Sequence, residues 1–260
     1  MPQAFFNNYA LEYDAHFSET LVGRAQRQLV HNYLDKVILP EMSVLEINCG
    51  TGVDALFLAE RCSDLLCTDL SEKMVEVTKH KTQLLENCMV KQASIQDLDK
   101  AVNKITQVIF SNFGGLNCLD KPEILNFTKT CSALTQSGSQ MVFVIMGTKC
   151  IWENFYFILK GDFTKAFRRK QNEGVKTGSA QEEFIVQYYT PGEIKDFFKT
   201  DFICMNTKPI GLFLPPSYLN SFFKNRPLLF SFFSGLDQLF SRFSFFSNYA
   251  DHYLIHLERK

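Results

Sequence analysis

Residues 43–52, Ser-Val-Leu-Glu-Ile-Asn-Cys-Gly-Thr-Gly, constrain the fold of this chain more than any other stretch. The segment begins as a short apolar run, which is typical of a buried parallel strand. It then breaks into a turn that contains Gly50 and Gly52, and apolar residues recur at helical spacing directly afterwards. A strand, a glycine turn and a helix in this order present backbone N–H groups and a helix N-terminus to a ligand. The pattern therefore predicts an α/β fold with a ligand site at this turn.

Two acidic residues indicate what that ligand is. Asp69 lies nineteen residues after Gly50, at the end of a second apolar run, where a carboxylate can accept hydrogen bonds from both hydroxyls of a ribose. Glu46 lies four residues before Gly50, near the carboxyl end of the first strand, where it can receive an ammonium group. Together they predict a nucleoside ligand. The glycines also satisfy a loose dinucleotide fingerprint, so a nicotinamide-dependent oxidoreductase is the alternative.

With these residues the chain resembles the class I S-adenosylmethionine-dependent methyltransferases, in particular their small-molecule types 11 and 25. The first motif of that family reads acid-x-Gly-x-Gly-x-Gly, and here it reads Glu46-Ile-Asn48-Cys-Gly50-Thr-Gly52. Asn48 replaces the first glycine, and asparagine tolerates a left-handed backbone better than most residues. The resemblance implies a Rossmann-like sheet of seven strands with an antiparallel last strand, helical N- and C-terminal lids, and S-adenosylmethionine as cofactor.

The resemblance also implies a cofactor site. Tyr13 belongs to a Tyr-Asp…Phe segment that folds over the cofactor in the family, and Arg24 or Arg27 is expected near the methionine carboxylate. Ser94 stands where an adenine-contacting segment usually has an acid, which leaves the adenine to Ile95 or Gln96. The full expected set is Tyr13, Arg27, Glu46, Asn48, Cys49, Gly50, Gly52, Asp69, Leu70, Ser94, Ile95, Gln96, Asn112 and Phe113.

Methyl transfer from a sulfonium needs alignment above all, which can supply roughly 7–11 kcal/mol, so a base is not obligatory. If the acceptor is a hydroxyl or an acidic carbon, His252 beside Asp251 is the preferred base and His16 the next candidate. A structural role is the alternative for both, and two further histidines, His31 and His80, are expected at the surface. The residues expected to contact the acceptor are Phe17, Asn117, Trp152 and Tyr218.

Composition limits the class of protein. The 260 residues, 46% of them hydrophobic, suit one domain with a full core, divided into cap helices (1–40), a cofactor-binding half (41–147) and a substrate half (148–260). A net charge of −1 without a basic cluster disfavours a nucleic-acid partner. Eight scattered cysteines without a CxxC pair predict buried thiols, no metal site and a cytoplasmic location. No stretch reaches transmembrane length.

Residues 215–247 hold nine of the 26 phenylalanines. Pro227 and Gly235 are expected to break the segment into short helices, and 163–180 is expected to be a mobile insertion. Three interpretations stay open: a helical cap packed on the sheet, an apolar acceptor pocket, or a contact with a membrane surface. The hypothesis is a lid, formed with the residues before Pro40, over a small hydrophobic or aromatic acceptor. A non-catalytic module that binds the cofactor or a membrane is the further alternative.

Overall fold

A mixed sheet of seven strands runs through the centre of the protein, seen in a computed structural model that describes residues 2–171, 173–178, 182–217 and 220–260. In chain order the strands are β1 (Ser43–Ile47), β2 (Asp64–Asp69), β3 (Cys88–Gln92), β4 (Val108–Ser111), β5 (Gln140–Met146), β6 (Val175–Gly178), β7 (Glu183–Val186), β8 (Phe202–Ile210) and β9 (His252–Arg259). Seven of these strands form the sheet, in the order β3-β2-β1-β4-β5-β9-β8. The other two, β6 and β7, pair with each other as a separate antiparallel hairpin. The strands from β3 to β5 pair in parallel, and β9 is antiparallel to both of its neighbours. The predicted seven-stranded fold with an antiparallel last strand is confirmed.

Helices flank both faces of the sheet. In chain order they are α1 (Pro2–Tyr9), α2 (Leu21–Leu34), α3 (Val53–Ala59), α4 (Glu72–Thr82), α5 (Leu98–Ala101), α6 (Lys121–Leu134), α7 (Ile151–Leu159), α8 (Phe163–Ala166), α9 (Pro191–Phe198), α10 (Ser221–Lys224) and α11 (Pro227–Phe240). A π-helical turn over Asp14–Ser18 joins α1 to α2. Side-chain oxygens cap several of the helices, for example Ser71 before α4 and Asp120 in a capping box before α6.

Alternation along the strands divides the core into two layers. Leu45 and Ile47 of β1 face one layer, which includes Phe127 of α6 and Phe198 of α9. Val44 faces the other layer, together with residues of α2 and α3. Because successive strand residues point to opposite faces, Glu46 lies on the same side as Val44.

The segment 163–171 is structured, contrary to the expectation of a mobile insertion. It holds α8 and a 3₁₀ turn over Arg168–Lys170, and Arg169 is buried. Its guanidinium donates to Glu153 Oε2 and to Asp251 Oδ1, both at 2.7 Å. A buried ion pair of this kind is costly to break, and it ties the segment to α7 and to the start of β9.

The phenylalanine-rich segment breaks at Pro227, as predicted, but not at Gly235. Pro227 separates the short helix α10 from the longer helix α11. α11 runs through Gly235 without a break, because this glycine keeps an ordinary helical conformation and nothing crowds it. Phe223 and Leu214 pack on Val22 of α2, so this region docks on α2.

Candidate active site

A cavity of about 970 Å³ opens at the carboxyl edge of the parallel strands. The residues directly after β1, β2, β3 and β4 line it, namely 48–51, 69–71, 94–96 and 112–115, together with Met146 at the end of β5. Carboxyl ends of parallel strands meet at one edge, which is where open α/β sheets bind ligands. The sequence prediction of a site at this edge agrees with the position of the cavity.

Two segments that are distant in sequence close the other side of the cavity. The N-terminal wall extends from α1 to α2 and includes Phe6, Tyr13 and Phe17. The second wall is the hairpin β6–β7, followed by Tyr188. The walls touch, because the Phe184 ring lies 5.3 Å from that of Phe5 and 5.5 Å from that of Phe6.

Asp69 faces the cavity with part of its hydrogen-bonding capacity unused. Its Oδ2 accepts from the Gly50 N–H at 2.9 Å and its Oδ1 from the Ser71 N–H at 2.8 Å. Burial raises the pKa of this carboxyl, while the backbone N–H groups act in the opposite direction. A carboxylate has about four acceptor positions, so roughly two stay available to a ligand.

The glycine turn has the backbone that its sequence predicts. Asn48, Gly50 and Gly52 all have positive φ, at 56°, 54° and 76°, so Asn48 does adopt the left-handed conformation. The Asn48 side chain donates to Ser111 Oγ at 3.1 Å and joins the ends of β1 and β4. A Cβ on Gly50 would meet nothing within 4 Å, whereas one on Gly52 would lie 2.7 Å from the Thr78 side chain. Gly50 thus exposes its backbone to the cavity, and Gly52 lets α3 approach α4.

Asp54 is the centre of a buried charged cluster that sequence reasoning missed. Its carboxylate accepts from the Arg27 guanidinium, from His31 Nε2 at 2.7 Å and from Asn112 Nδ2 at 2.9 Å. Burial by itself raises the pKa of Asp54, but Arg27, His31 and Asn112 outweigh burial and lower this pKa to about 2. His31 is therefore not the surface residue expected from its helical pattern. An acid in the first turn of the helix after a glycine turn is the signal that could have indicated Asp54.

The Arg27 side chain lines the cavity, and its Nε is buried without a hydrogen-bond partner among the described residues. An unpaired buried donor costs free energy, so this atom is suited to an acceptor on a ligand.

Comparison with known proteins agrees with this geometry. Residues 44–138 match the model of a family described as a methyltransferase domain. Residues 44–138 therefore form a methyltransferase domain. No curated protein matches the methyltransferase over its sequence.

Solved structures that resemble the methyltransferase show how far the fold extends. The structure titled DhpI–SAH complex has a TM-score of 0.65 and 12% identity, over 99% of this chain and 94% of that one. An S-adenosylmethionine-dependent methyltransferase from Clostridium acetobutylicum has a TM-score of 0.58 and 14% identity, over 97% and 98%. The [4+2]-cyclase SpnF has a TM-score of 0.56 and 10% identity, over 89% and 79%. At these identities the likeness concerns the fold alone.

Most of the residues predicted from the methyltransferase motifs lie together at the cavity. Those that line it are Tyr13, His16, Phe17, Arg27, Asn48, Cys49, Gly50, Asp69, Leu70, Ser94, Ile95, Gln96, Asn112 and Phe113. Residues that the sequence did not indicate also line it, among them Ser71, Cys118, Glu123, Arg168, Phe184 and Tyr188.

Glu46 does not reach the cavity, contrary to its expected contact with an ammonium group. It is 1% exposed and accepts from Cys67 Sγ at 3.2 Å, on the helix-covered face of the sheet. Burial raises its pKa well above the ordinary value, and the nearby Asp54 carboxylate raises it further. The physical reason is strand alternation, which points this side chain into the helix-covered layer that also contains Val44.

His252, the preferred base, also lies outside the cavity. It is 6% exposed, and the Phe113 ring packs edge-on against it at 5.3 Å. Its Nδ1 is 3.2 Å from Asp251 Oδ2 but does not form a well-directed hydrogen bond. A general base must come within hydrogen-bond reach of the acceptor, and Phe113 stands between. His16 does line the cavity, where it stacks on Tyr9 at 5.7 Å.

Of the four residues predicted to contact the acceptor, Phe17 is the one that lines the cavity in the described part of the chain. Asn117 is fully buried, and its amide bonds Met146 N, Met146 O and Gln187 O at 2.6–3.1 Å, which holds the end of β5 to the chain after β7. Trp152 instead donates to Phe213 O and packs on Phe233 at 5.6 Å. Tyr218 lies outside the described residues.

Of the two segments predicted to form a lid, the structure places one at the cavity. The N-terminal segment covers the cavity, whereas Ser217 is the one described residue of 215–247 that lines it. Docking of this region on α2 directs its aromatic rings to a small core of their own or to solvent. The phenylalanine-rich segment does not supply the acceptor pocket in the part of the chain that the structure describes.

Proposed function

We propose that this methyltransferase methylates a small molecule with an apolar or aromatic body. The observation that supports the proposal is one cavity whose lining is partly polar and partly aromatic. We call Asp69, Gly50 and the Arg27–Asp54 cluster its polar end, and Phe6, Phe184 and Tyr188 its aromatic end. A volume near 970 Å³ is at the upper limit of common ligand sites, which suits a nucleoside cofactor with an acceptor beside it.

The polar end suits S-adenosylmethionine. Asp69 would accept from the ribose hydroxyls, and the open space at Gly50 lets a ligand approach the backbone. The unpartnered Arg27 Nε would donate to the carboxylate of the amino-acid part. Ile95 and Gln96 would border the adenine. These roles extend the sequence predictions to the positions that the cavity brings together.

When bound, the cofactor supplies a methyl group already activated by a positively charged sulfur. The chain then has to orient the acceptor and exclude water. Phe17 and Phe113, whose rings lie 5.2 Å apart, both line the cavity and would help to exclude water from it. His16 is the side chain that we propose to take a proton from a hydroxyl acceptor. Burial raises the pKa of Tyr13 to about 12, so its phenol stays neutral there.

The aromatic end favours an apolar acceptor by two effects. Burial of apolar surface there contributes roughly 25 cal/mol per Å². Two guanidiniums lie near that end, and both are paired within the protein. Arg168, which lines the cavity, donates its Nε to Glu153 Oε1 at 2.7 Å. Arg169, 5.3 Å from the Tyr188 ring, donates to Glu153 and Asp251. The phenylalanines of α11, from which the sequence predicted the same acceptor class, do not line the cavity.

Isothermal titration tests the cofactor site. Asp69→Ala should weaken S-adenosylhomocysteine binding by roughly 1–3 kcal/mol, the range for a lost hydrogen bond to a charged group. Asp99→Ala, an exposed carboxylate outside the cavity, is the matched control and should bind as the natural protein does. Unchanged affinity in Asp69→Ala, or tighter binding of NAD than of S-adenosylmethionine, would contradict the proposal.

Transfer of a labelled methyl group to a panel of small molecules tests the acceptor. Phe184→Ser should raise the KM for an apolar acceptor by a larger factor than it weakens cofactor binding. Its neighbour Ile185 points away from the cavity and is 47% exposed, so Ile185→Ser is the control. A panel in which polyanionic compounds alone are methylated would end the hypothesis of an apolar acceptor.

We further propose a cytoplasmic location. It is supported by the eight cysteines, which are free thiols in this structure, five of them buried.

A further inference from the structure

A row of apolar side chains on α7 faces solvent. Ile151, Phe155 and Leu159 are 50%, 57% and 71% exposed, and their spacing of four residues places them on one face of the helix. Phe163 at the start of α8 continues the row and is 63% exposed. Single exposed apolar residues are ordinary, but a contiguous set indicates a contact surface.

A second such row lies on α11. Leu228, Phe232 and Leu239 are 87%, 61% and 47% exposed and also share one helical face. Phe243 and Phe245, directly after the helix, are exposed as well. The two rows flank a common seam, because Trp152 of α7 and Phe233 of α11 pack against each other. We name residues 147–171 and 220–249, which include α7, α8, α10 and α11, together the aromatic face.

Basic residues outnumber acidic residues on the aromatic face. Residues 147–171 and 220–249 hold nine lysines and arginines against three acids, in a chain whose net charge is −1. Glu153 and Asp237 are buried, as is Arg169, and Asp162 pairs with Lys165 at 3.1 Å. The surface that remains is therefore basic.

Several basic side chains lie over aromatic rings of the same face. Lys160 lies 4.5 Å from the Tyr156 ring, Arg226 lies 4.5 Å from the Phe222 ring, and Arg242 lies 5.2 Å from the Phe243 ring. Side chains of this kind can lay their aliphatic stems on apolar surface while their charges stay in water. Apolar rings beside cationic heads are the arrangement that binds at the boundary of acyl chains and anionic headgroups.

We infer that the aromatic face binds the surface of a membrane that contains anionic lipids. A second copy of the chain is the weaker occupant, because it would bring two basic faces together. Binding would be peripheral, since α11 has fourteen residues and none of the helices described is long and apolar enough to cross a bilayer. This inference does not depend on the acceptor proposed above.

The primary test is co-sedimentation of the full chain with vesicles. Vesicles of phosphatidylcholine with about one third phosphatidylserine should bind it, and phosphatidylcholine alone should bind it far less. Binding should weaken as salt rises from about 0.05 to 0.5 M, because salt screens the headgroup charge. No binding, or equal binding to both kinds of vesicle, would overturn the inference.

Two pairs of variants separate the apolar and the electrostatic contributions. Leu228→Ser with Phe232→Ser should reduce binding about tenfold or more, and Leu11→Ser with Leu84→Ser, each 89% exposed elsewhere, should not. Arg226→Glu with Arg242→Glu should reduce binding about tenfold or more, whereas Lys79→Glu with Lys129→Glu should not. Retained S-adenosylhomocysteine binding shows that each variant is folded. A variant of this face that binds like the natural protein contradicts the inference.

Trp152 provides an independent readout, because it is the single tryptophan of the chain and lies at the seam. Bromine-labelled lipids should quench its fluorescence when the protein binds anionic vesicles. Bound protein without quenching would mean that another face is used. Sedimentation velocity without lipid covers the remaining alternative: a dimer that Leu228→Ser with Phe232→Ser disperses would replace the membrane by a second copy.

Discussion

Three donors converge on the carboxylate of Asp54, and this single residue organises the polar end of the cavity. Arg27 and Asn112 were expected at the site for other reasons, and His31 was expected at the surface. A buried carboxylate is stable only when it is paired and hydrogen-bonded. Asp54 meets this condition. It also holds Arg27 against the cavity, where the Arg27 Nε has no hydrogen-bond partner among the described residues.

The pH dependence of stability should report this residue. The pKa of Asp54 is lowered to about 2 from an ordinary value of 3.8, so its stabilisation is complete above about pH 4 and is lost as pH falls towards 2. A shift of this size corresponds to about 2 kcal/mol at neutral pH. Asp54→Asn should therefore lower the free energy of unfolding by at least about 2 kcal/mol at pH 7.

Urea denaturation at several pH values measures this effect. The difference between Asp54→Asn and the natural protein should shrink between about pH 4 and pH 2. Asp99→Asn, which changes an exposed carboxylate, is the control for general effects of low pH. Stability curves that stay parallel over this interval would show that Asp54 is not the titrating group.

At the scale of elements, the turn between β1 and α3 uses its two glycines differently. Both have positive φ, but Gly50 borders open space and Gly52 touches Thr78 of α4. The motif therefore combines a ligand position and a helix-packing position within three residues. Sequence alone assigned both glycines to the cofactor.

Alanine substitutions should separate these two functions. Each substitution should cost roughly 1–2 kcal/mol of stability, because a residue with a Cβ disfavours the left-handed conformation. Gly52→Ala should destabilise the fold further, because its Cβ would lie 2.7 Å from Thr78. Gly50→Ala should lose cofactor affinity with the smaller loss of stability. Denaturation and titration of both variants check this, and equal stability losses would contradict the assignment of Gly52 to packing.

At the scale of the whole molecule, the cavity is closed by segments from opposite parts of the chain. Residues 3–17 and the hairpin β6–β7 meet through Phe5, Phe6 and Phe184. Asn8 also donates to Glu182 Oε1 at 2.9 Å. A ligand must pass this closure, so the two segments are expected to respond to it together.

Hydrogen exchange with and without S-adenosylhomocysteine tests this coupling. Ligand should slow exchange in residues 3–17 and in 175–178 and 183–186 to a similar degree, because both lie over the same cavity. Amides of α9, none of whose residues lines the cavity, serve as the internal control. Protection of one segment without the other would show that they do not close as a unit.

The sequence by itself determined the parts of this methyltransferase that depend on local chemistry. Strand periodicity, the glycine turn with a left-handed Asn48, and Asp69 at the next strand end are set within a few residues of chain. Parallel strands then bring their carboxyl ends to one edge by geometry alone, so most predicted cofactor residues lie at the cavity.

Tertiary structure alone decided which other side chains reach that edge. Strand alternation buries Glu46, and the packing of Phe113 separates His252 from the cavity. Docking of α11 on α2 removes Trp152 and the phenylalanines from the site, while the hairpin β6–β7 supplies a wall that no motif indicated. Each of these depends on contacts between residues far apart in the chain, whose free energies no local pattern records.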